Sequence, residues 1–263
     1  MSGFTIASGY GHLAAIYSHS DALTIGGRDK RLAFLHMACA DLSRVVRKNQ
    51  THLYSIALAQ AFAWFCCLAE DLFRAEGGRV LAGGMATKYP AGECAYCHHI
   101  PCECSQVNRK PFKGRGHSES RMQERWTLEH WQFSLAKVYG QANNKIGVEQ
   151  ALNRLFEELG EVSMLLNHGD GVNDRLSELE QKLARELSDV LAWIFAVSTL
   201  LEVRLESAVR QLYDTGCPVC DALPCECKNF EKKPKSGDLA HRFMGADEVQ
   251  QYLTIRQHTT PAR

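Results

Sequence analysis

The chain of 263 residues is 45% hydrophobic and sets 30 Lys and Arg against 30 Asp and Glu, for a formal charge of zero. That is enough apolar sequence for one large or two small cores, and the lack of basic excess argues against a protein whose main task is coating nucleic acid. The opening stretch MSGFTIASGYGHLAAIY lacks the basic flank and long apolar run of a signal peptide. No segment is expected to reach membrane-spanning length, so a cytoplasmic protein without membrane contact is expected.

In chain order, the first apolar segments are ADLSRVV (40–46) and LAQAFAWFCCLAEDLF (58–73). Cys39, Cys66 and Cys67 lie in this helical sequence and read as small buried hydrophobes rather than nucleophiles, because no His or acidic partner is placed beside them. Gly26-Gly27 and Gly83-Gly84 read as turns, and neither belongs to a Walker-type or dinucleotide-binding fingerprint. No Ser-His-Asp arrangement can be picked out. Lys88-Tyr89-Pro90 then leads into the first of two cysteine loops.

That loop, Cys94-Ala-Tyr-Cys97-His-His-Ile-Pro-Cys102-Glu-Cys104, recurs as Cys217-Pro-Val-Cys220-Asp-Ala-Leu-Pro-Cys225-Glu-Cys227, with the same spacing and the same Pro and Glu before the third and fourth Cys. Four thiolates from one short loop suit a closed tetrahedral Zn²⁺ site, which would be structural because no ligand position stays open for chemistry. An iron–sulfur cluster is the competing metal. His98 and His99 are expected to be exposed loop residues rather than ligands. Between the loops, SQVNRKPFKGRGHSESRMQ is polar, basic and Gly/Ser-containing, as a linker should be. After the second loop, KNFEKKPKSGD repeats that character before a short candidate helix at Ala246 to Ile255.

The carboxylates carry the chemistry. In LNRLFEELGEVSMLL, Leu152, Leu155, Phe156, Leu159, Val162, Leu165 and Leu166 recur at three- and four-residue steps, which is a helical period and puts Glu158 and Glu161 one turn apart on one face. In ARELSDVLAWIFAVSTLL, Glu186 and Asp189 have the same spacing, just before a run apolar enough to require burial on nearly all sides. Carboxylates at such spacings are often only a solvated face. Beside a wholly apolar helix, however, they need something positive to offset their desolvation. Oxygen ligands from two facing helices suit Mg²⁺ or Mn²⁺ together with substrate phosphates.

Glu157-Glu158-Leu159-Gly160-Glu161 followed by Glu186-Leu187-Ser188-Asp189 resembles the EExxE and ExxD signature of the MazG-like all-α nucleoside triphosphate pyrophosphohydrolases, over about Trp131 to Cys227. Gln132, Phe133 and Lys137 match loosely the Gln-Phe and Lys of that family's first helix. The resemblance implies that Glu158, Glu161, Glu186 and Asp189 bind Mg²⁺ with Glu157 as an accessory, and that Lys137 lies near substrate. It also departs from the family: a basic residue and an Asn that often follow the second metal helix have no clear match in AVRQLYDTGCP. Lys88-Tyr89-Pro90 resembles the KYP or RYP found after that helix in many relatives, which would let Lys88 reach the phosphates held by the other half.

The cysteine loops prompt a search for a wider duplication. Residues 58–73 can be laid on 187–202, with Ala63-Trp64 meeting Ala192-Trp193, and 40–46 on 160–166. Glu157, Glu158, Glu161, Glu186 and Asp189 then meet Met37, Ala38, Asp41, Ala57 and Gln60, so the first copy keeps no complete metal site and Asp41 is expected to be an unliganded surface carboxylate. The expected architecture is an all-α intramolecular pseudo-dimer: a degenerate repeat (1–104), a linker (105–121), a catalytic repeat (122–227) and a tail (228–263).

The expected activity is Mg²⁺- or Mn²⁺-dependent cleavage of a nucleoside triphosphate, ribo or deoxy, to the monophosphate and pyrophosphate. Glu157 or Glu161 would orient the attacking water. Trp126, Trp131 and Trp193 are the candidates for stacking on the base. The nucleotide is the expected partner, a homo-oligomer of pseudo-dimers is compatible with this reading, and nucleic acid is not expected. Two alternatives belong to other classes: a catalytically silent nucleotide sensor, and a zinc-dependent RNA-binding or scaffold protein whose carboxylates are only surface.

Overall fold

The computed structural model describes residues 3–23, 27–89, 93–104, 122–168, 176–227 and 235–242. The candidate linker 105–121, the candidate helix at Ala246 to Ile255 and most of the tail lie outside the described residues. The fold is all-α. Among the described residues there are seven α-helices: α1 (Ile6–Leu23), α2 (Arg28–Arg47), α3 (Tyr54–Phe73), α4 (Gly77–Lys88), α5 (Leu128–His168), α6 (Leu176–Leu200) and α7 (Leu205–Tyr213). Short 3₁₀ turns stand at Thr51–Leu53, Arg74–Glu76 and Ser236–Arg242.

Local chemistry sets the boundaries. Thr5 Oγ1 accepts from Ser8 N–H at 3.0 Å and Thr127 Oγ1 accepts from His130 N–H at 3.1 Å, so α1 and α5 begin with the same side-chain cap. Thr5 and Thr127 also face each other in an isolated antiparallel bridge. α5 is broken at Gly147, whose φ of 77° and ψ of 170° no helix tolerates. Gly27, just before α2, has φ 81° and ψ −176°. Both positions use the left-handed φ open to glycine.

The core is one continuous cluster drawing on both ends of the chain. Every residue of α3 from Ile56 to Ala69 is buried, each large apolar side chain contributing about 1.5 to 3 kcal/mol. The expectation that no run reaches membrane-spanning length is corrected here: Thr51–Phe73, 23 residues with mean hydropathy 1.5, is long and apolar enough by composition, and it is mostly buried inside the fold. Its apolarity goes with its central place. Cys39, Cys66 and Cys67 are buried in this core with free thiols.

The strongest packing pairs α5 with α6 and α2 with α3. α7, which follows α6, packs on α3, while α4, which follows α3, packs on α1 and α6. The cysteine loops cross over in the same way: Cys102 N–H donates to Val138 O of α5 at 2.8 Å, and Cys225 N–H donates to Ile16 O of α1 at 2.6 Å. Gly83-Gly84 is not the turn expected from sequence; it lies inside α4. A Cβ on Gly84 would stand 2.6 Å from Ser188 Oγ and 3.1 Å from Ala184 O, so Gly84 serves close approach of α4 to α6, the helix that carries Asp189, to which Lys88 and Tyr89 donate.

Candidate metal centres and an adjoining cavity

The α5 segment 148–168 and α6 bring carboxylate oxygens of Glu158, Glu161 and Glu186 within 4.8 Å of one another. Glu161 is exposed while Glu158 and Glu186 are half-buried. Burial, then repulsion from Asp189 and Glu161, pushes the Glu158 carboxyl from 4.5 to about 7, although the Trp193 indole N–H donates to it. Burial also raises Glu186, reinforced by Asp189 and Glu161 and opposed by Lys88. Crowded acidic oxygens that resist ionisation are what an uncompensated cation site looks like.

Asp189 stands beside this trio rather than in it. Its carboxylate accepts from Lys88 Nζ and Tyr89 Oη, and the Lys88–Asp189 ion pair is only 13% and 14% exposed at its two ends. Lys88 thus crosses from α4 to the site on α6, a pairing between residues 101 positions apart. Asp189 and the same Tyr89 contact keep the phenol in its neutral form: burial first, then the carboxylate charge, raises its pKa well above the usual value. Glu157 is exposed, with Arg154 donating to it at 2.6 Å.

A cavity of about 690 Å³ lies beside partners of the acidic groups: Tyr89, which donates to Asp189, and Trp193, which donates to Glu158, both line it, while none of the four carboxylates does. α5 contributes Leu135, Lys137, Tyr139, Asn143 and Asn144, α6 contributes Trp193 and Thr199, and the first cysteine loop contributes Tyr96, Ile100 and Pro101. Of the three tryptophans considered from sequence, Trp193 reaches the cavity. Trp131 does not: it is 1% exposed in the core, 5.0 Å from Trp126 between ring centroids. Gln132 is likewise structural, donating to Val203 O at 2.8 Å and accepting from Leu205 N–H at 3.1 Å, and Phe133 is 69% exposed.

The aligned positions in the first half are filled. Phe34 stacks on Trp64 at 4.6 Å, with Tyr17 6.2 Å away on the same indole. Buried Arg31 donates to Cys67 O at 2.6 Å and pairs with Asp71 at 2.9 Å. Asp41 is not the surface carboxylate expected from sequence. It is buried, paired with Arg44, and accepts from Ser236 N–H at 3.0 Å and Ser236 Oγ–H at 2.7 Å, while Ser236 Oγ also lies 3.2 Å from Gln60 Oε1. Burial raises the Asp41 pKa, but these hydrogen bonds outweigh it and hold the carboxyl low. Sequence reasoning missed Ser236 because it comes from the tail, 195 residues away.

Each cysteine loop gathers its four sulfurs. Cys94 and Cys104 Sγ are 3.6 Å apart, Cys97 and Cys102 3.9 Å, Cys217 and Cys227 3.8 Å, and Cys220 and Cys225 3.8 Å. Thiolates about 2.3 Å from one tetrahedral metal stand about 3.8 Å apart, so both loops can hold a single ion such as zinc. Backbone support also matches: Glu103 N–H donates to Cys97 Sγ at 3.3 Å and Glu226 N–H to Cys220 Sγ at 3.4 Å. Burial raises Cys94 and Cys220, yet backbone N–H groups pull each down to about 7. The remaining thiols of these sets that shift go up, through burial and neighbouring sulfur, so four thiolates together need a cation. His98 and His99 lie outside the sets, paired with Glu93 at 3.1 Å and Glu103 at 2.8 Å.

Comparison with protein-family models, with curated proteins and with solved structures finds no match.

Proposed function

We propose that the protein is a Mg²⁺-dependent nucleoside triphosphate pyrophosphohydrolase of MazG-like type, built as a tandem duplication with one working site. The observation that carries this reading is the convergence of Glu158, Glu161 and Glu186 beside a cavity large enough for a nucleoside. The duplication is supported by paired features: the threonine caps of α1 and α5, the glycine junctions before α2 and within α5, and the reciprocal docking of each cysteine loop on the other half. A fusion of this kind makes the pairing of two incomplete apolar faces intramolecular. The two cysteine loops hold structural zinc in this reading, each clamping a crossover.

Glu158, Glu161 and Glu186 would hold Mg²⁺, which would supply Lewis-acid polarisation of the phosphate oxygens. Lys88 and Tyr89 hold Asp189 next to the trio, and Lys88 supplies the positive charge nearest to where phosphates would lie. Glu157 or Glu161 would orient the attacking water, with Glu158, whose oxygen accepts from Trp193, left to the metal. A second reading, a nucleotide sensor without turnover, is favoured by one observation: Asp189, which the resemblance assigns to the metal, is engaged by Lys88 and Tyr89.

The test is a screen of common NTPs and dNTPs with Mg²⁺ or Mn²⁺, read as pyrophosphate release. Turnover of at least one substrate, abolished by Glu161→Gln in a folded protein, is expected. Binding without release would establish the sensor, and activity undiminished in Glu161→Gln would remove the acidic trio from the chemistry.

A further inference from the structure

The two cysteine loops match in sequence and in sulfur geometry, but they border different surroundings. The first is registered on α5 by Cys102 N–H donating to Val138 O at 2.8 Å and by Ala95 N–H donating to Tyr139 Oη at 3.4 Å. Cys94, Cys97 and Val138 share a small apolar cluster of their own, against Tyr139. The loop thereby presents Tyr96, Ile100 and Pro101 to the cavity beside the acidic trio. In the second loop the residues at those places are Val219, Leu223 and Pro224, and none of them borders that cavity. Its sulfurs Cys217 and Cys225 join the main core instead, near the Tyr17–Tyr213 ring contact at 6.4 Å. The space next to Trp64 that would mirror the cavity is occupied by Phe34 and Tyr17.

The cavity is walled by aromatic rings and apolar side chains, with the amides of Gln141, Asn143 and Asn144 as its neutral hydrogen-bonding groups. Such a lining accepts a flat heterocycle that stacks on rings and offers donors and acceptors at its edge. Trp193 fixes where that ring would lie, since its indole N–H is committed to Glu158 while its side chain borders the cavity. Tyr89 and Trp193 connect that wall to Asp189 and Glu158, the side from which attached phosphates would meet the carboxylates.

We propose that the first cysteine loop is a specificity element: with its metal in place, it supplies through Tyr96, Ile100 and Pro101 the outer wall against which the substrate's heteroaromatic base packs. The second loop serves only the fold. This proposal rests on the reading of the acidic trio as a nucleoside triphosphate site, and it gives the degenerate half a reason to be kept, because that half contributes both Lys88 and the wall.

The probes are the non-hydrolysable α,β-methylene analogues of the four common ribonucleoside and four common deoxyribonucleoside triphosphates, titrated calorimetrically with Mg²⁺ into the full chain. At least one analogue should bind. Tyr96→Ala should weaken that binding about tenfold, as loss of one stacking partner does, while Val219→Ala on the second loop leaves it within about twofold. Replacing one metal ligand per loop gives a second measurement: Cys97→Ser should weaken analogue binding, and Cys220→Ser should lower thermal stability without changing affinity in protein that remains folded. Equal effects of Tyr96→Ala and Val219→Ala, or failure of every analogue to bind the native protein, would overturn the proposal. Its fate is separable from that of the catalytic reading: binding that depends on Tyr96 in a protein that releases no pyrophosphate leaves the loop's role standing and removes the hydrolase, whereas turnover with a KM indifferent to Tyr96→Ala does the reverse.

Discussion

Glu158 should make stability depend on pH and on divalent metal together. Burial first, then Asp189 and Glu161, lifts its pKa from 4.5 to about 7. Above pH 4.5 the unfolded chain ionises this group freely while the folded chain resists, so the stability it contributes is full below 4.5 and is lost as pH rises through about 7. The whole rise corresponds to roughly 3 kcal/mol; the side chain is half-exposed, and solvent screening reduces that to about 1 to 2 kcal/mol. In a chain of this size that moves Tm by roughly 3 to 6 °C. Other groups titrate over the same range, Glu186 in the same direction and His36, lowered from 6.5 by burial, in the opposite one, so the comparison is with Glu158→Gln. Scanning calorimetry without divalent ions should show the variant matching the native protein near about pH 4 and exceeding it by that amount near about pH 8. Millimolar Mg²⁺ should close the gap by stabilising the native protein alone, since the cation favours the ionised carboxylate. Parallel pH profiles, or equal Mg²⁺ stabilisation of both proteins, would refute the assignment of Glu158 to a cation site.

Elemental analysis of protein purified without chelator should find about two zinc ions per chain; iron with visible absorbance, or no metal, would overturn the zinc assignment. Lys88→Met should destabilise the metal-free protein by about 3 kcal/mol in urea titrations, because Asp189 is left as an uncompensated, mostly buried charge, and Mg²⁺ should recover part of the loss; no change would mean that the ion pair does not hold α4 on α6. Asp41→Asn should leave pyrophosphate release intact while costing about 1 to 3 kcal/mol of stability through the weakened bonds to Ser236 and Arg44. Loss of turnover there would mean that the first half supplies a working ligand.

The parts of this molecule legible in the sequence are those set by short-range spacing. A three-residue step on a helix puts two carboxylates on one face whatever the helix packs against, and Glu158, Glu161 and Glu186 do converge. A CxxC and a CxC joined by four residues gather four sulfurs with little help from the rest of the chain, and the sulfur separations fit one ion. The helical period carried α-structure wherever it was read within the described residues. Its failures occur where a glycine serves packing rather than a turn: Gly83-Gly84 continues α4 because the missing Cβ admits Ser188, and the period of 152–166 gave no sign that α5 begins as far back as Leu128 and bends at Gly147.

What the sequence withheld are the partnerships across the crossovers. Lys88 could be suspected from its resemblance to a motif, but only the packing of α4 on α6 shows that its charge lies on Asp189. That contact changes the electrostatic problem at the site. Burial raises the Glu158 and Glu186 carboxyls first, and the nearby Asp189 and Glu161 charges add to it while Lys88 opposes, so the four carboxylates and the one lysine act as a single electrostatic group. The first half solves the same problem differently, with Arg44 on Asp41 and a serine hydroxyl from the tail lodged between Asp41 and Gln60. In the proposed duplication the corresponding places differ by what fills them: rings and a serine near Trp64 and Asp41, a cavity and a cluster of carboxylates near Trp193 and Glu158. Only the second retains both the space for a ligand and the charge deficit that a metal–phosphate complex would relieve.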